Sequence, residues 1–375
     1  MDAQELSALF PPIDRAWLER ARKRFASPFM GTKFDRIAVD PMMLSHAAVV
    51  CGFTIGDFYK QPELGASCVA YASQLYDLLP VTHWYFSLPW ISELGGELRY
   101  TDLLPPTVSN IVVKTPEDVD LVEVPGIEEI RKGWTYSQMT RSNDFIKENI
   151  PEMFVPIASV SDLPGSAGQL CGVETFIMWT LTEPDLAHKL TAKYTETAIE
   201  GTGAIADRYG MAMISTGSVL GNNDIFSDQA VLDYSAKYLR KLVEGAFRKG
   251  AGPQLFYHMC GNHETDYKVF KDVVIWSPFT IIQLGYKGRD VFPADEMAKE
   301  FGQLATVMGS VDTRLMIDPN PRAVYEQASR QIVAGRDSPN GFILGTACET
   351  PPYTIPGNIY ALVQATKDHG TYGHW

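Results

Sequence analysis

The segment PQLFYHMCGN, residues 253–262, is an apolar run that ends with a histidine and a cysteine two positions apart. Its length and its aromatic content predict a buried β-strand over residues 254–260. Successive side chains of a strand alternate between its two faces, so positions i and i+2 share a face. We therefore predict that His258 and Cys260 point in the same direction, at the carboxyl end of this strand.

Seven further short apolar runs predict strands at 36–42, 83–89, 154–161, 211–218, 279–285, 314–320 and 342–348. Helical patterns occur at 183–210, 228–250, 294–305, 321–334 and 357–368. An alternation of strands and helices is typical of an α/β fold with a parallel sheet. Eight such strands predict a (β/α)₈ TIM barrel. We expect a single domain over residues 1–375, with an insertion of short strands or loops at 90–150, between early barrel strands.

The composition narrows the classes of partner. Acidic residues outnumber basic ones by 45 to 32, which gives a net charge of −13 and disfavours binding to nucleic acid. The amino terminus lacks the apolar core of a secretion signal, and the longest apolar stretch, near residues 37–55, is interrupted by Asp40 and His46. We therefore expect a cytoplasmic protein without a membrane segment. Its five cysteines are expected to be reduced thiols.

A third potential ligand lies almost ninety residues beyond the histidine and cysteine pair. Cys348 ends the last predicted strand, and the carboxyl ends of barrel strands converge on one mouth. One imidazole and two thiolates suit zinc, and three protein ligands leave a fourth position open, as in catalytic sites. Two alternatives stay open: ordinary packing of a buried histidine and cysteines, and a closed structural site with His263 as the fourth ligand.

The motifs HMCGN (258–262) and GFILGTACETPPYTIPGNIYALVQATKDHG (341–370) together resemble the uroporphyrinogen decarboxylase-like superfamily. Within it, a His-x-Cys pair followed much later by a cysteine resembles the zinc signature of the corrinoid-dependent methyltransferase branch. The resemblance implies a (β/α)₈ barrel and zinc ligation by His258, Cys260 and Cys348. It also implies transfer of a methyl group between a small molecule and the cobalt of a corrinoid (cobalamin) carried by a separate protein.

The arginine-rich amino-terminal signature of true uroporphyrinogen decarboxylases is absent, so tetrapyrrole decarboxylation is not expected. Two directions of methyl transfer remain. One is O-demethylation of a methoxylated aromatic donor, and the other is methylation of a thiol such as coenzyme M.

The aromatic segment HWYFSLPW, residues 83–90, favours O-demethylation. Its side chains, with a tyrosine of the strand at 254–260, could wall a flat substrate ring, although each could equally belong to the core. The predicted substrate-binding residues are Trp84, Tyr85, Phe86 and Tyr257.

Polar residues near the predicted barrel mouth are candidates for proton transfer or for orienting a ligand. Glu349 directly follows a predicted zinc ligand, Asn262 closes the HMCGN motif, and Glu174 follows the strand at 154–161. Carboxylates and amides in such positions commonly orient metal ligands or exchange protons with a substrate. We predict these three as catalytic residues.

Overall fold

The computed structural model describes residues 6, 8–79 and 88–372, apart from the side chain of Val273. The strands are β1 (Ala38–Asp40), β2 (Leu98–Arg99), β3 (Thr107–Val108), β4 (Ile157–Ser159), β5 (Ala212–Ser218), β6 (Ala251–Asn262), β7 (Ile281–Lys287), β8 (Asp290–Val291), β9 (Thr306–Val311) and β10 (Phe342–Thr346). The first helices are α1 (Arg15–Phe29), α2 (Ser45–Val50), α3 (Ile55–Lys60), α4 (Pro62–Tyr76), α5 (Asp118–Leu121), α6 (Ile127–Ile130), α7 (Trp134–Asn149), α8 (Leu163–Cys171) and α9 (Val173–Thr182). They are followed by α10 (Pro184–Tyr209), α11 (Asp228–Ala230), α12 (Lys237–Arg248), α13 (Tyr267–Val273), α14 (Ala294–Phe301), α15 (Thr313–Met316), α16 (Pro321–Gly335) and α17 (Pro356–His369), and a π-helical turn (Val231–Ala236) joins α11 to α12.

Seven strands form one parallel sheet in the order β1-β10-β9-β7-β6-β5-β4, and β8 pairs antiparallel with β7. Helices follow the strands along the chain, so the architecture is the predicted TIM-barrel-like α/β fold. The predicted strand at 83–89 lies almost entirely outside the described residues. None of the described helices is both long enough and apolar enough to cross a bilayer.

The predicted strand at 314–320 is wrong, because the strand lies earlier, at β9. All six residues of β9 are buried, and the strand pairs with β7 on one side and β10 on the other. It ends before Asp312, whose side chain accepts a hydrogen bond from the Arg314 amide and caps α15. The apolar residues after Asp312 thus belong to a short helix, which the cap initiates.

The insertion at 90–150 contains both strands and helices. A two-residue antiparallel pair, β2 with β3, agrees with the expected short strands. The 16-residue helix α7, however, was not predicted, nor was α4 before it. Both helices pack against each other on the barrel, and their mixed polar and apolar composition hides the helical period.

Trp90 anchors the start of this insertion to the barrel. Its side chain is fully buried, and its indole N–H donates to the carbonyl oxygen of Ser159, at the end of β4, over 3.0 Å. The ring packs against α10 at Gly201, where an added Cβ would lie only 2.4 Å from a ring carbon. Any larger residue would have to displace the indole, so a glycine is required here.

We expect Gly201→Ala to lower the free energy of unfolding by about 1–3 kcal/mol, because overpacking displaces the buried indole. Denaturant unfolding measures this change. Gly357→Ala is the matched control, since a Cβ in this first turn of α17 would meet only a Pro321 carbon, at 3.5 Å. The control should be as stable as the wild type or slightly more stable. Equal effects of both substitutions would contradict the proposed role of the packing.

Candidate metal centre

The carboxyl end of β6 carries an irregularity in the sheet. The β6–β7 register passes from Met259↔Leu284 to Asn262↔Tyr286 with a shift between the two pairs. Gly261 lies inside this shift with φ +86°, a conformation that side chains disfavour. This shift is a β-bulge that begins after Met259, so His258 precedes it and Cys260 lies within it. Both side chains line one cavity at the carboxyl ends of the barrel strands.

Three potential metal ligands meet at this cavity. Cys348 follows β10 by two residues, and its Sγ lies 3.5 Å from the Sγ of Cys260. One donor atom each from His258, Cys260 and Cys348 lies within 4.8 Å of the others. A disulfide would place the sulfurs about 2.05 Å apart. Two sulfurs bound to one tetrahedral zinc ion at about 2.3 Å lie roughly 3.8 Å apart, so the observed spacing fits a shared ion.

The tautomer of His258 follows from its neighbours. Its Nδ1 faces Oε1 of Gln283. The Gln283 amide nitrogen donates to Ser310 Oγ and to the carbonyl oxygen of Thr346, and the Ser310 hydroxyl itself donates to Leu284. Oε1 must therefore accept, and His258 Nδ1 carries the proton. The opposite nitrogen, Nε2, keeps its lone pair and is buried without a hydrogen-bond partner in the described part of the chain, as a zinc ligand requires.

A hydrogen bond joins the two thiols and separates their pKa values. The hydrogen bond from Cys260 holds the pKa of Cys348 well below its ordinary value, with the nearby His258 contributing. The same bond, together with burial, raises the pKa of Cys260 well above its ordinary value. Cys348 is thus the thiol that loses its proton more readily, and zinc binding would require both sulfurs to be deprotonated.

His263 does not supply a fourth ligand. Its Nδ1 lies 2.8 Å from Asp266 Oδ1, and its Nε2 lies 2.9 Å from the carbonyl oxygen of Cys260. Both side chains are fully buried. Because both ring nitrogens are occupied, the closed four-ligand site has no support among the described residues. His263 instead holds the backbone that carries Cys260, and the three remaining residues fit a zinc ion with one open position.

Three carboxyl groups line the cavity of about 330 Å³ in front of these ligands. Glu349 Oε1 accepts hydrogen bonds from the Ser45 amide (3.0 Å) and hydroxyl (2.8 Å), and burial raises the pKa of Glu349 to about 7. Burial also raises the pKa values of Asp40 and Asp162, each to about 6. Groups with such values can change their protonation near neutral pH.

Two predicted catalytic residues do not reach this cavity. Asn262 joins loops, because its Nδ2 donates to Asp224 over 3.0 Å and its Oδ1 accepts from the Gly288 amide over 2.8 Å. Glu174 is exposed in the first turn of α9. Of the three predicted catalytic residues, only Glu349 lines the cavity.

The predicted substrate-binding aromatics are not brought together at this cavity among the described residues. Tyr257 is buried on the helical side of β6, with ring centroids 5.5 Å from Phe270 and 6.0 Å from Trp276. Strand alternation explains this, since Tyr257 is out of phase with the two metal-ligand candidates of β6. The predictions for Trp84, Tyr85 and Phe86 lie outside the described residues.

Two site residues were missed from sequence. Gln283 lies inside the apolar run FTIIQLG, which predicts a buried strand. A polar residue at such a position indicates a specific hydrogen-bonding role, and this was the only indication in the sequence. Only the register, which pairs it with His258, shows its role. Asp162 follows β4 and caps α8, so its sequence context indicates an ordinary cap.

Comparisons with known proteins agree with this fold. A family model described as uroporphyrinogen decarboxylase (URO-D) matches residues 20–369. Methylated-thiol–coenzyme M methyltransferase of Methanosarcina mazei is 24% identical over 284 residues, which cover 73% of this chain and 68% of that relative. A solved structure of a methyltransferase from Methanosarcina mazei aligns with a TM-score of 0.75 at 18% identity, over 93% of this chain and 98% of that one. At that identity the structural match shows the fold alone.

We expect Gln283→Leu to weaken zinc binding about 10–100-fold, because the Nδ1 proton of His258 loses its acceptor and the ring loses its orientation. Chelator competition measures the affinity. Gln283→Glu retains the acceptor for Nδ1 but loses the donor to Ser310 and Thr346, so it should bind zinc more tightly than Gln283→Leu but less tightly than the wild type. Gln254→Leu, at an equally buried glutamine in the amino-terminal part of β6, serves as the control. Unchanged affinity in Gln283→Leu would contradict the assigned role.

We expect Asp40→Asn to stabilise the metal-free protein at pH 8 by about 1–3 kcal/mol and to have little effect near pH 4. The folded-state pKa, about 6, lies above the ordinary value of 3.8. Stability is therefore lost as the pH rises through this interval and the buried group ionises. Unfolding at the two pH values measures the difference. Asp337→Asn, at an exposed acid, should show no such pH dependence, and equal effects of the two substitutions at pH 8 would refute this explanation.

Proposed function

The chain belongs to the uroporphyrinogen decarboxylase family, and from that premise we propose that it is a zinc-dependent methyltransferase. The methyl group would move between a small molecule and the cobalt of a corrinoid carried by a partner protein. The observation that carries this proposal is the cluster of His258, Cys260 and Cys348, in which an imidazole nitrogen without a hydrogen-bond partner among the described residues lies near two thiols that are hydrogen-bonded to each other. The methyltransferase named among the relatives supports the reaction class.

The three ligands leave one position open toward the cavity. Bound there, zinc would supply Lewis acidity toward an oxygen or a thiol of the substrate. Gln283 would keep the His258 ring oriented, and His263 would keep the Cys260 backbone in place. These contacts preorganise the ligands, so little rearrangement accompanies binding.

Glu349 is the group best placed to exchange a proton with the substrate. It follows Cys348 directly, lines the cavity, and is oriented by two hydrogen bonds from Ser45. With a pKa of about 7, it is present in both protonation states at neutral pH. The protonated form can give a proton to a departing phenolate oxygen, and the ionised form can accept a proton from an entering thiol.

The rest of the cavity wall is mainly apolar. Met42, Met43, Leu79, Val160 and Phe256 line it, beside the ligands and the acids. Such a wall excludes water and accommodates methyl and aryl groups. We propose a methoxylated aromatic as the methyl donor on this basis. Methylation of a thiol is the second candidate, which the name of the Methanosarcina mazei relative favours.

We expect zinc-loaded protein to demethylate methoxylated aromatics in the presence of a Co(I) corrinoid, with the cobalt spectrum as the readout. Cys260→Ala and Cys348→Ala should each slow the reaction by at least about a hundredfold, because each removes a zinc ligand. Cys51→Ala removes a thiol outside the cluster and should retain activity and zinc.

The reverse assay offers a methylated corrinoid to thiols. Transfer to thiols alone would establish the second candidate in place of the first. Normal zinc content with no transfer in either direction would contradict the proposed reaction, and activity that persists in both cysteine variants would contradict the role of the metal centre.

A further inference from the structure

The charged side chains that line the cavity include acids, namely Asp40, Asp162 and Glu349, but no lysine or arginine. This statement covers every lysine and arginine of the chain, since the stretches outside the described residues, namely 1–5, 7, 80–87 and 373–375, contain neither residue type. An anionic substrate would therefore meet carboxylates without any cationic side chain to hold it.

Asp162 lines this cavity, and one of its two carboxyl oxygens is an unused hydrogen-bond acceptor. Only 3% of the residue is exposed, and its Oδ2 accepts hydrogen bonds from the amides of Gly165 and Leu220, both at 2.9 Å. Its Oδ1 is buried and has no hydrogen-bond partner among the residues that the structure describes. A buried acceptor without a hydrogen bond destabilises the folded protein unless a ligand supplies a donor or a positive charge.

Asp40 is similarly placed at the end of β1. The residue is 5% exposed, and its Oδ1 accepts one hydrogen bond, from the Met42 amide over 3.0 Å. Neither Asp40 nor Asp162 forms a salt bridge with any described residue. Because their pKa values are about 6, both are ionised at pH 8, so the cavity then holds at least two negative charges.

Elsewhere the same protein pairs its buried charges. The nearly inaccessible Arg24 and Arg36 side chains lie 2.8 Å and 2.9 Å from the partly exposed Asp77, and the buried Asp312 pairs with Arg314 over 2.6 Å. Buried carboxylates are normally paired in this way, because an isolated buried charge is expensive. The unpaired acids of the cavity are thus exceptions within this molecule, and they border the space that a substrate would occupy.

We propose that the small molecule bound at this site carries a cationic group, such as an ammonium, which lies against Asp40 and Asp162. The methyl-bearing or thiol end would then face His258, Cys260 and Cys348. This inference rests on the proposed function for the role of the site, but it concerns binding and holds for either direction of methyl transfer. It predicts that methoxybenzoates and sulfonate thiols such as coenzyme M are poor ligands.

Two matched series of small molecules test the inference by calorimetry at pH 8. The first is 4-methoxybenzylamine, 4-methoxybenzyl alcohol and 4-methoxybenzoate, which differ mainly in charge. The second is cysteamine, 2-mercaptoethanol and coenzyme M. In each series we expect the cation to bind at least about tenfold more tightly than the anion, with the neutral compound between them. Equal affinities, tighter binding of the anion, or no binding of the cation would overturn the proposal.

Substitutions test whether Asp40 and Asp162 cause the preference for cationic ligands. Asp40→Asn and Asp162→Asn each retain an acceptor for the local amide but lose the charge, so each should reduce the cation-to-anion ratio about threefold or more. Asp337→Asn removes the same charge from an exposed site and should leave the ratio unchanged. Loss of the preference in the control as well, or its persistence in the Asp40/Asp162 double variant, would refute the assigned site. Thermal unfolding confirms that each variant is folded.

The aromatic series needs no metal, so it is also measured with zinc-free protein. A charge preference without any methyl transfer would contradict the proposed reaction but support the binding inference. Methyl transfer from neutral or anionic donors, without a preference for cations, would support the reaction and overturn the inference.

Discussion

The site depends on the hydrogen bond between His258 and Gln283. Gln283 can only accept through Oε1, because its amide nitrogen donates to Ser310 on the adjacent strand β9 and to Thr346 on β10, one strand further. The imidazole must therefore donate from Nδ1, and its lone pair at Nε2 remains available. A single buried amide thus determines the tautomer, the ring orientation and the donor atom offered to a metal.

The sheet makes this hydrogen bond possible. The β6–β7 register places His258 opposite Gln283, and the bulge at Gly261 then breaks the register. The buried His263 holds the carbonyl of Cys260 beside this bulge. The third ligand arrives from β10, on the far side of β7 and β9. The centre therefore needs the correct packing of several strands, and local structure around the HMCGN motif would not assemble it.

The unpaired acids of the cavity lower the stability of the folded protein. Burial raises the pKa values of Asp40, Asp162 and Glu349, so the ionised forms destabilise the folded protein at neutral and higher pH. The ion pair of the buried Asp312 with Arg314 shows that the same chain neutralises a buried acid away from the cavity. Binding sites in proteins often destabilise the fold locally, and favourable packing in the rest of the molecule compensates for this loss.

The sequence by itself determined the α/β alternation, most of the strands and long helices, and the three candidate ligands, because strand periodicity and ligand chemistry are local properties. Even so, the strand prediction for the apolar run after Asp312 is wrong, because the Asp312 side chain caps a short helix there. Only the tertiary structure decided that Gln283 orients His258, that Tyr257 faces the helices, and that Asp162 keeps an acceptor without a partner. Register, strand twist and burial set those contacts. They arise between residues far apart in the chain, so no local pattern encodes them.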